Sequence, residues 1–208
     1  DLLFDCVEED PSHRPSSAEL LSQLEAIEAS QEGDLFEFEI VTVNAKGKIT
    51  ERIRKEARYQ TEKLGKGVEL EMVSIPGGTF VMGSPETEKG RSSDEGPQHE
   101  VTVEPFYMGK YPVTQAQWEA VMGNNPSRFK GKNRPVEKVS WNKAVEFCKR
   151  LSEMTGKTYR LPSEGQWEYA CRAGTTTPFY FGNTITTDLA NYYGDSTYAE
   201  GPKGVYRE

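Results

Sequence analysis

Histidine and cysteine are scarce in this chain, two and three respectively in 208 residues. The histidines, His13 and His99, lie far apart, so neither zinc spacing nor a Ser–His–acid arrangement can be assembled around them. Cys6, Cys148 and Cys171 are widely and irregularly spaced. Such a set reads as reduced thiols of a cytoplasmic compartment rather than a disulfide framework. No apolar run approaches the ~18 residues of a membrane span, so none is expected. A basic surplus is also missing: 25 Lys and Arg stand against 33 Asp and Glu, for a net charge of −8. That balance excludes a nucleic-acid backbone as the partner. Glycine is plentiful, with 19 residues, but forms neither a P-loop nor a dinucleotide fingerprint.

What the chain does hold is a set of well-marked helix starts. In Arg160-Leu-Pro-Ser-Glu-Gly-Gln-Trp-Glu-Tyr-Ala-Cys-Arg-Ala-Gly174, Ser163 and Gln166 have capping-box spacing and Pro162 precedes the cap. Trp167, Ala170 and Cys171 fall at i, i+3 and i+4, an apolar stripe expected to face the core. Gly174, after Arg172, suits a left-handed helix end. Thr114 and Gln117 repeat the capping box, with Val113 and Trp118 placed as its hydrophobic staple. A third helix carries Ala144, Val145, Cys148 and Leu151. Helices are therefore expected near 114–122, 141–154 and 164–173. Glu164 and Glu168, four apart on the last of these, read as a solvated face.

The strands are short. Phe36, Phe38 and Ile40 alternate with Glu37 and Glu39, a half-buried strand over 35–43. Asn44-Ala-Lys-Gly47 supplies turn chemistry for a hairpin into Ile49–Arg54. Residues 55–66 are charged and fit strand and helix equally. Further short antiparallel strands are expected over 69–84, broken at Pro76-Gly-Gly78, and over 100–108. The result is an irregular α+β fold.

Four motifs stand in order along residues 68–174: Ile75-Pro-Gly-Gly-Thr-Phe-Val-Met-Gly-Ser84; Gly96-Pro-Gln-His-Glu-Val-Thr-Val103 with Tyr111-Pro-Val-Thr-Gln-Ala-Gln-Trp118; Pro135-Val-x-x-Val-Ser-Trp-Asn-x-Ala144; and the Arg160–Gly174 stretch. Together they resemble the formylglycine-generating enzyme family, the sulfatase-modifying factors. The resemblance implies a C-type-lectin-like formylglycine-generating-enzyme fold and an enzyme that oxidises a cysteine of a client sulfatase to formylglycine. It further implies Cu(I) held by two cysteines beyond the last motif. On this reading the C-terminal part of the domain, with that catalytic pair, is missing, and no catalytic residue is assigned. Cys148 and Cys171 match positions of structural cysteines, and both are expected as small buried hydrophobes. The resemblance places a client peptide or protein ligand in a surface groove, with substrate-binding residues Glu95 and Tyr111 on one wall. It also suggests a Ca2+ site at Asn191 and Tyr192, although no acid stands about fourteen positions later.

The first thirty residues differ in kind. Asp10-Pro11-x-x-Arg14-Pro15-Ser16, followed by Leu20, Leu21, Leu24 and Ile27 on one helical face, resembles the end of a Ser/Thr protein kinase domain. The expected organisation is a kinase-like tail over 1–30, a linker and β-hairpin over 31–66, and a formylglycine-generating-enzyme-like domain over 67–208. A kinase domain upstream in the same polypeptide follows from that resemblance. It leaves a second functional class open, a non-catalytic ligand-binding or sensory module fused to the kinase.

Overall fold

The computed structural model describes residues 33–205 together with Ser16. Apart from Ser16, the kinase-like segment, including Cys6 and His13, lies outside the described residues. The chain enters through a hairpin, β1 (Asp34–Val43) against β2 (Ile49–Gly65), antiparallel with Phe38 opposite Lys55 and Ile40 opposite Ile53. Its turn forms as its residues require. Asn44 Oδ1 accepts the backbone N–H groups of Lys46 and Lys48 at 3.0 and 3.1 Å, and Gly47 takes φ +75°.

Residues 55–65, ambiguous in sequence, continue β2 as strand. The reason is pairing in succession: residues up to Tyr59 pair with β1 and residues from Tyr59 onward pair with β3 (Val68–Ile75), Tyr59 facing both Asp34 and Val73. A backbone paired along its whole length holds as strand despite its charged side chains. The hairpin is thereby continuous with β3 in one sheet, which runs through the expected boundary near Gly67. Strand β6 (Phe106–Gly109) closes that sheet, and β4 (Gly78–Met82) pairs with β5 (His99–Val103) in a separate two-stranded sheet.

Three helices follow: α1 (Gln115–Met122), α2 (Trp141–Thr155) and α3 (Glu164–Arg172). Both expected capping boxes are formed, Thr114 with Gln117 and Ser163 with Gln166. Ser140 caps α2 by accepting the N–H of Lys143. The main core lies between α1, α2 and the large sheet. There Trp118 stacks on Phe147, centroids 5.2 Å apart and planes 5° from parallel, beside Leu64, Leu70 and Leu151. Val113 packs against this cluster, completing the staple. No helix of the described residues is long and apolar enough to cross a membrane.

Helix α3 departs from expectation. Trp167 is 56% exposed and Cys171 is also exposed, so its apolar stripe does not enter the core. The other face is held instead. Glu168 accepts the backbone N–H of Gly83 at 2.9 Å and the Nε–H of Arg172 at 2.8 Å. Arg172 in turn donates to the Gly83 carbonyl at 2.8 Å. The Tyr169 ring meets Phe80 of β4 at 5.4 Å. This polar clamp and ring contact fix the helix on the small sheet and turn Trp167 outward. Glu168 is therefore an anchor, not a solvated charge. The left-handed end falls on Ala173 (φ +48°), with Gly174 following at +82°.

Candidate functional site

Because α3 presents its apolar stripe outward, it divides the surface into two grooves. The first, about 550 Å³, lies between Trp167 and Cys171 of α3, the segment Glu95–Pro97, and the aromatic run Phe179–Phe181. Its rim is acidic, with Glu88, Asp94, Glu95 and Glu164. The second, about 870 Å³, lies on the opposite flank between Tyr169 and Ala170 of α3, Phe36 and Phe38 of β1, and Lys110-Tyr111. Tyr180, 48% exposed, lines both. Its ring is held edge-on against Phe181 at 4.8 Å, and Phe181 stacks in parallel on Phe179 at 5.5 Å. Such packing fixes an exposed aromatic at small entropic cost on contact with a ligand.

Glu95 and Tyr111 are each beside α3, but on different grooves. Glu95 ends a short 3-10 turn (Ser93–Glu95), where its carboxylate accepts the Ser92 N–H at 3.0 Å and the Ser84 hydroxyl at 2.8 Å. Those bonds, the Ser92 backbone first and the Ser84 hydroxyl second, hold its carboxyl below the usual carboxylate range. The carboxylate thus joins the turn to the end of β4 as well as facing the groove.

Tyr111 is 64% exposed. The neighbouring Lys110 ammonium sits 4.1 Å from the Phe36 ring centroid, 4.8 Å from Tyr59 and 5.6 Å from Tyr111. It pairs with Glu71 at 2.8 Å, and chiefly that hydrogen bond raises its pKa. A cation shared among three rings latches the β1–β2 hairpin to the groove wall.

The expected metal ligands were Asn191 and Tyr192, while the thiols were expected as buried hydrophobes. Cys148, on α2, is half-buried against the core, and burial pushes its thiol pKa up. Cys171 is exposed on α3 in the first groove, contrary to its expected burial. The two sit on different helices in different surroundings, and neither belongs to a His, Cys, Asp or Glu cluster fit for a metal among the described residues. They do not fit a copper-holding pair. Asn191 is exposed, and the Tyr192 hydroxyl donates to the Ile185 carbonyl at 3.2 Å. The region about fourteen positions later, 201–205 among the described residues, holds no acid, and there the Val205 N–H donates to Thr187 Oγ1 at 3.2 Å. Without that carboxylate the residues form a hydrogen-bonded loop and do not fit calcium.

Sequence reasoning missed Trp167, Cys171 and Tyr180 as groove residues. The signal available was the acidic and aromatic mixture on α3 itself. Glu168 and Arg172 at i, i+4 make a polar pair that a helix can bury as readily as a stripe of two apolar residues.

Comparison with known proteins agrees with this architecture. The sulfatase-modifying factor enzyme 1-like domain family matches residues 59–205. The chaperone protein LppX of Paenibacillus barcinonensis is 34% identical, over 59% of this chain and 53% of its own. A formylglycine-generating enzyme of Thermomonospora curvata is 28% identical, over 62% and 56%. The serine/threonine-protein kinase pkn1 of Chlamydia caviae is 28% identical over 65% of this chain but 26% of its own. Among solved structures, PvdO from Pseudomonas aeruginosa superposes with a TM-score of 0.56 at 33% identity, covering 66% of this chain and 62% of that one. The chain spans about half the length of LppX and of the formylglycine-generating enzyme, and about a quarter of the kinase. With its family match running from β2 to the end of the described residues, the chain belongs to the sulfatase-modifying factor enzyme 1-like domain family.

Proposed function

We propose that this domain binds an extended polypeptide segment along the grooves flanking α3, and that its own thiols do not carry out cysteine oxidation. One observation carries the reading: Trp167, Tyr180 and Tyr111 stand exposed around a single helix that Glu168, Tyr169 and Arg172 fix to the small sheet. Exposed aromatics on rigid supports are the usual anchors of peptide recognition. The acidic rim of the first groove suits a basic residue of the ligand, such as the arginine of a sulfatase-type Cys-x-Pro-x-Arg segment. Glu95 and Tyr111 then serve the two ends of one ligand that crosses Tyr180.

Oxidation of a client cysteine with copper needs two thiolates close together. Cys148 is held protonated by burial and Cys171 stands alone in its groove, which supports recognition without turnover by this chain. The kinase-like Asp10–Ser16 motif and the match to pkn1 support a role as the sensing module of a cytoplasmic kinase. The experiment loads the reduced chain with Cu(I) and adds a Cys-x-Pro-x-Arg peptide under air. Mass spectrometry of the peptide should show its thiol unchanged relative to a metal-only control. Conversion of that thiol to an aldehyde overturns the proposal.

A further inference from the structure

A third cavity, of about 390 Å³, lies away from the α3 flanks, between the large sheet and the loop that leads into α3. Its apolar floor is Met72, Phe106, Met108 and Pro162. Its charged groups are Glu62, Lys157 and Arg160, with the phenols of Tyr107 and Tyr159 beside them.

The charges do not cancel. Glu62 is buried, only 8% exposed, and Lys157 forms an ion pair with it. The Tyr159 phenol lies beside the same carboxylate, and burial first and Glu62 second raise its pKa, so Glu62 is already engaged by its neighbours. Arg160 bonds only neutral acceptors, the Leu161 carbonyl at 3.0 Å and Gln166 Oε1 at 2.8 Å. Among the described residues no carboxylate pairs with it. The Arg160 guanidinium thus stands solvent-exposed at the edge of this cavity, without a carboxylate partner. Both of its bonds use one terminal nitrogen, which leaves N–H donors on the others.

We propose that this cavity binds a small molecule that carries a carboxylate on an apolar body. The carboxylate pairs with Arg160, the side chain best matched to a planar two-oxygen acceptor. The body rests on Met72, Phe106 and Met108, and the volume falls in the range of small-ligand sites. Gln166 ties the cavity to α3, since its Oε1 accepts from Arg160 and from the Ser163 N–H of the helix cap. A ligand on Arg160 thus contacts the start of the helix that separates the two grooves. The inference stands on the charge and shape of this cavity and does not depend on peptide recognition.

The test titrates 3-phenylpropionate into the full chain and follows backbone amide shifts by NMR, with 3-phenylpropionamide as the uncharged control. Saturable shifts are expected at Gln60, Tyr107–Gly109 and Arg160, with binding of the amide roughly tenfold weaker or worse, the usual loss when a charge-assisted bond is removed. Arg160→Gln should lose the same preference for the acid. Because Arg160 also braces the α3 cap, a second variant, Thr158→Trp, fills the mouth from an exposed rim position and should abolish binding. Equal binding of acid and amide, shifts confined to the α3 flanks, or no saturable shift at all would overturn the proposal.

Discussion

Replacing tryptophans one at a time separates the core of this domain from its binding surface. The chain has three, Trp118, Trp141 and Trp167. Trp118 is 3% exposed and stacked on Phe147, whereas Trp167 is 56% exposed. A tryptophan side chain offers about 200 Å² for burial, and apolar burial is worth about 25 cal/mol per Å². Trp118 therefore contributes about 5 kcal/mol, at the top of the ~3–5 kcal/mol span seen when a buried aromatic becomes alanine. The buried fraction of Trp167 gives about 2 kcal/mol, an upper bound because unfolded chains already bury some surface. Urea unfolding of Trp118→Ala and Trp167→Ala, monitored by circular dichroism, should differ by at least ~2 kcal/mol. In melting temperature Trp118→Ala should fall by about 10 °C or more, since ~1 kcal/mol moves a domain of this size by ~2–4 °C. Equal losses, or a larger loss at Trp167, would refute the assignment of core and surface.

Three further outcomes follow from the same geometry. Glu168→Ala removes the acceptor for the Gly83 N–H and leaves Arg172 without its carboxylate, so denaturant unfolding should show a loss of about 1–3 kcal/mol. Glu95 has a folded pKa below its ordinary value of 4.5, so its stabilising contribution is complete above that pH and is lost as pH falls through the folded value. Glu95→Gln should accordingly flatten the melting-temperature profile below about pH 4.5. In alkylation with iodoacetamide followed by peptide mapping, Cys171 should react well before Cys148, whose thiol is half-buried with a raised pKa. A reversed order would contradict the placement of both helices.

Much of the fold was legible because its helices begin with local chemistry. Thr114 with Gln117 and Ser163 with Gln166 satisfy backbone groups three residues away, so their identity alone locates each start. The hairpin was legible for the same reason, since Asn44 bonds within its own turn. The direction in which α3 faces was not. A stripe at i, i+3 and i+4 shows that a helix has two sides, but which side is buried depended on Glu168 reaching Gly83, 85 positions earlier. Residues 55–65 were ambiguous because their strand character comes from other strands, β1 along 55–59 and β3 along 59–65. The family resemblance placed Glu95 and Tyr111 on one wall. The structure sets them on opposite flanks of α3, with Tyr180 between the two grooves.

The exposed aromatics around α3 are proposed to bind a polypeptide. Fluorescence anisotropy of a labelled Cys-x-Pro-x-Arg peptide, titrated with the full chain, tests it most directly. Trp141 provides the control: it is 71% exposed, on α2, and lines neither groove. Saturable binding is expected, weakened about tenfold or more by Trp167→Ala, the loss typical of an aromatic anchor, and unchanged by Trp141→Ala. Absence of binding, or equal effects of the two substitutions, would contradict the proposal.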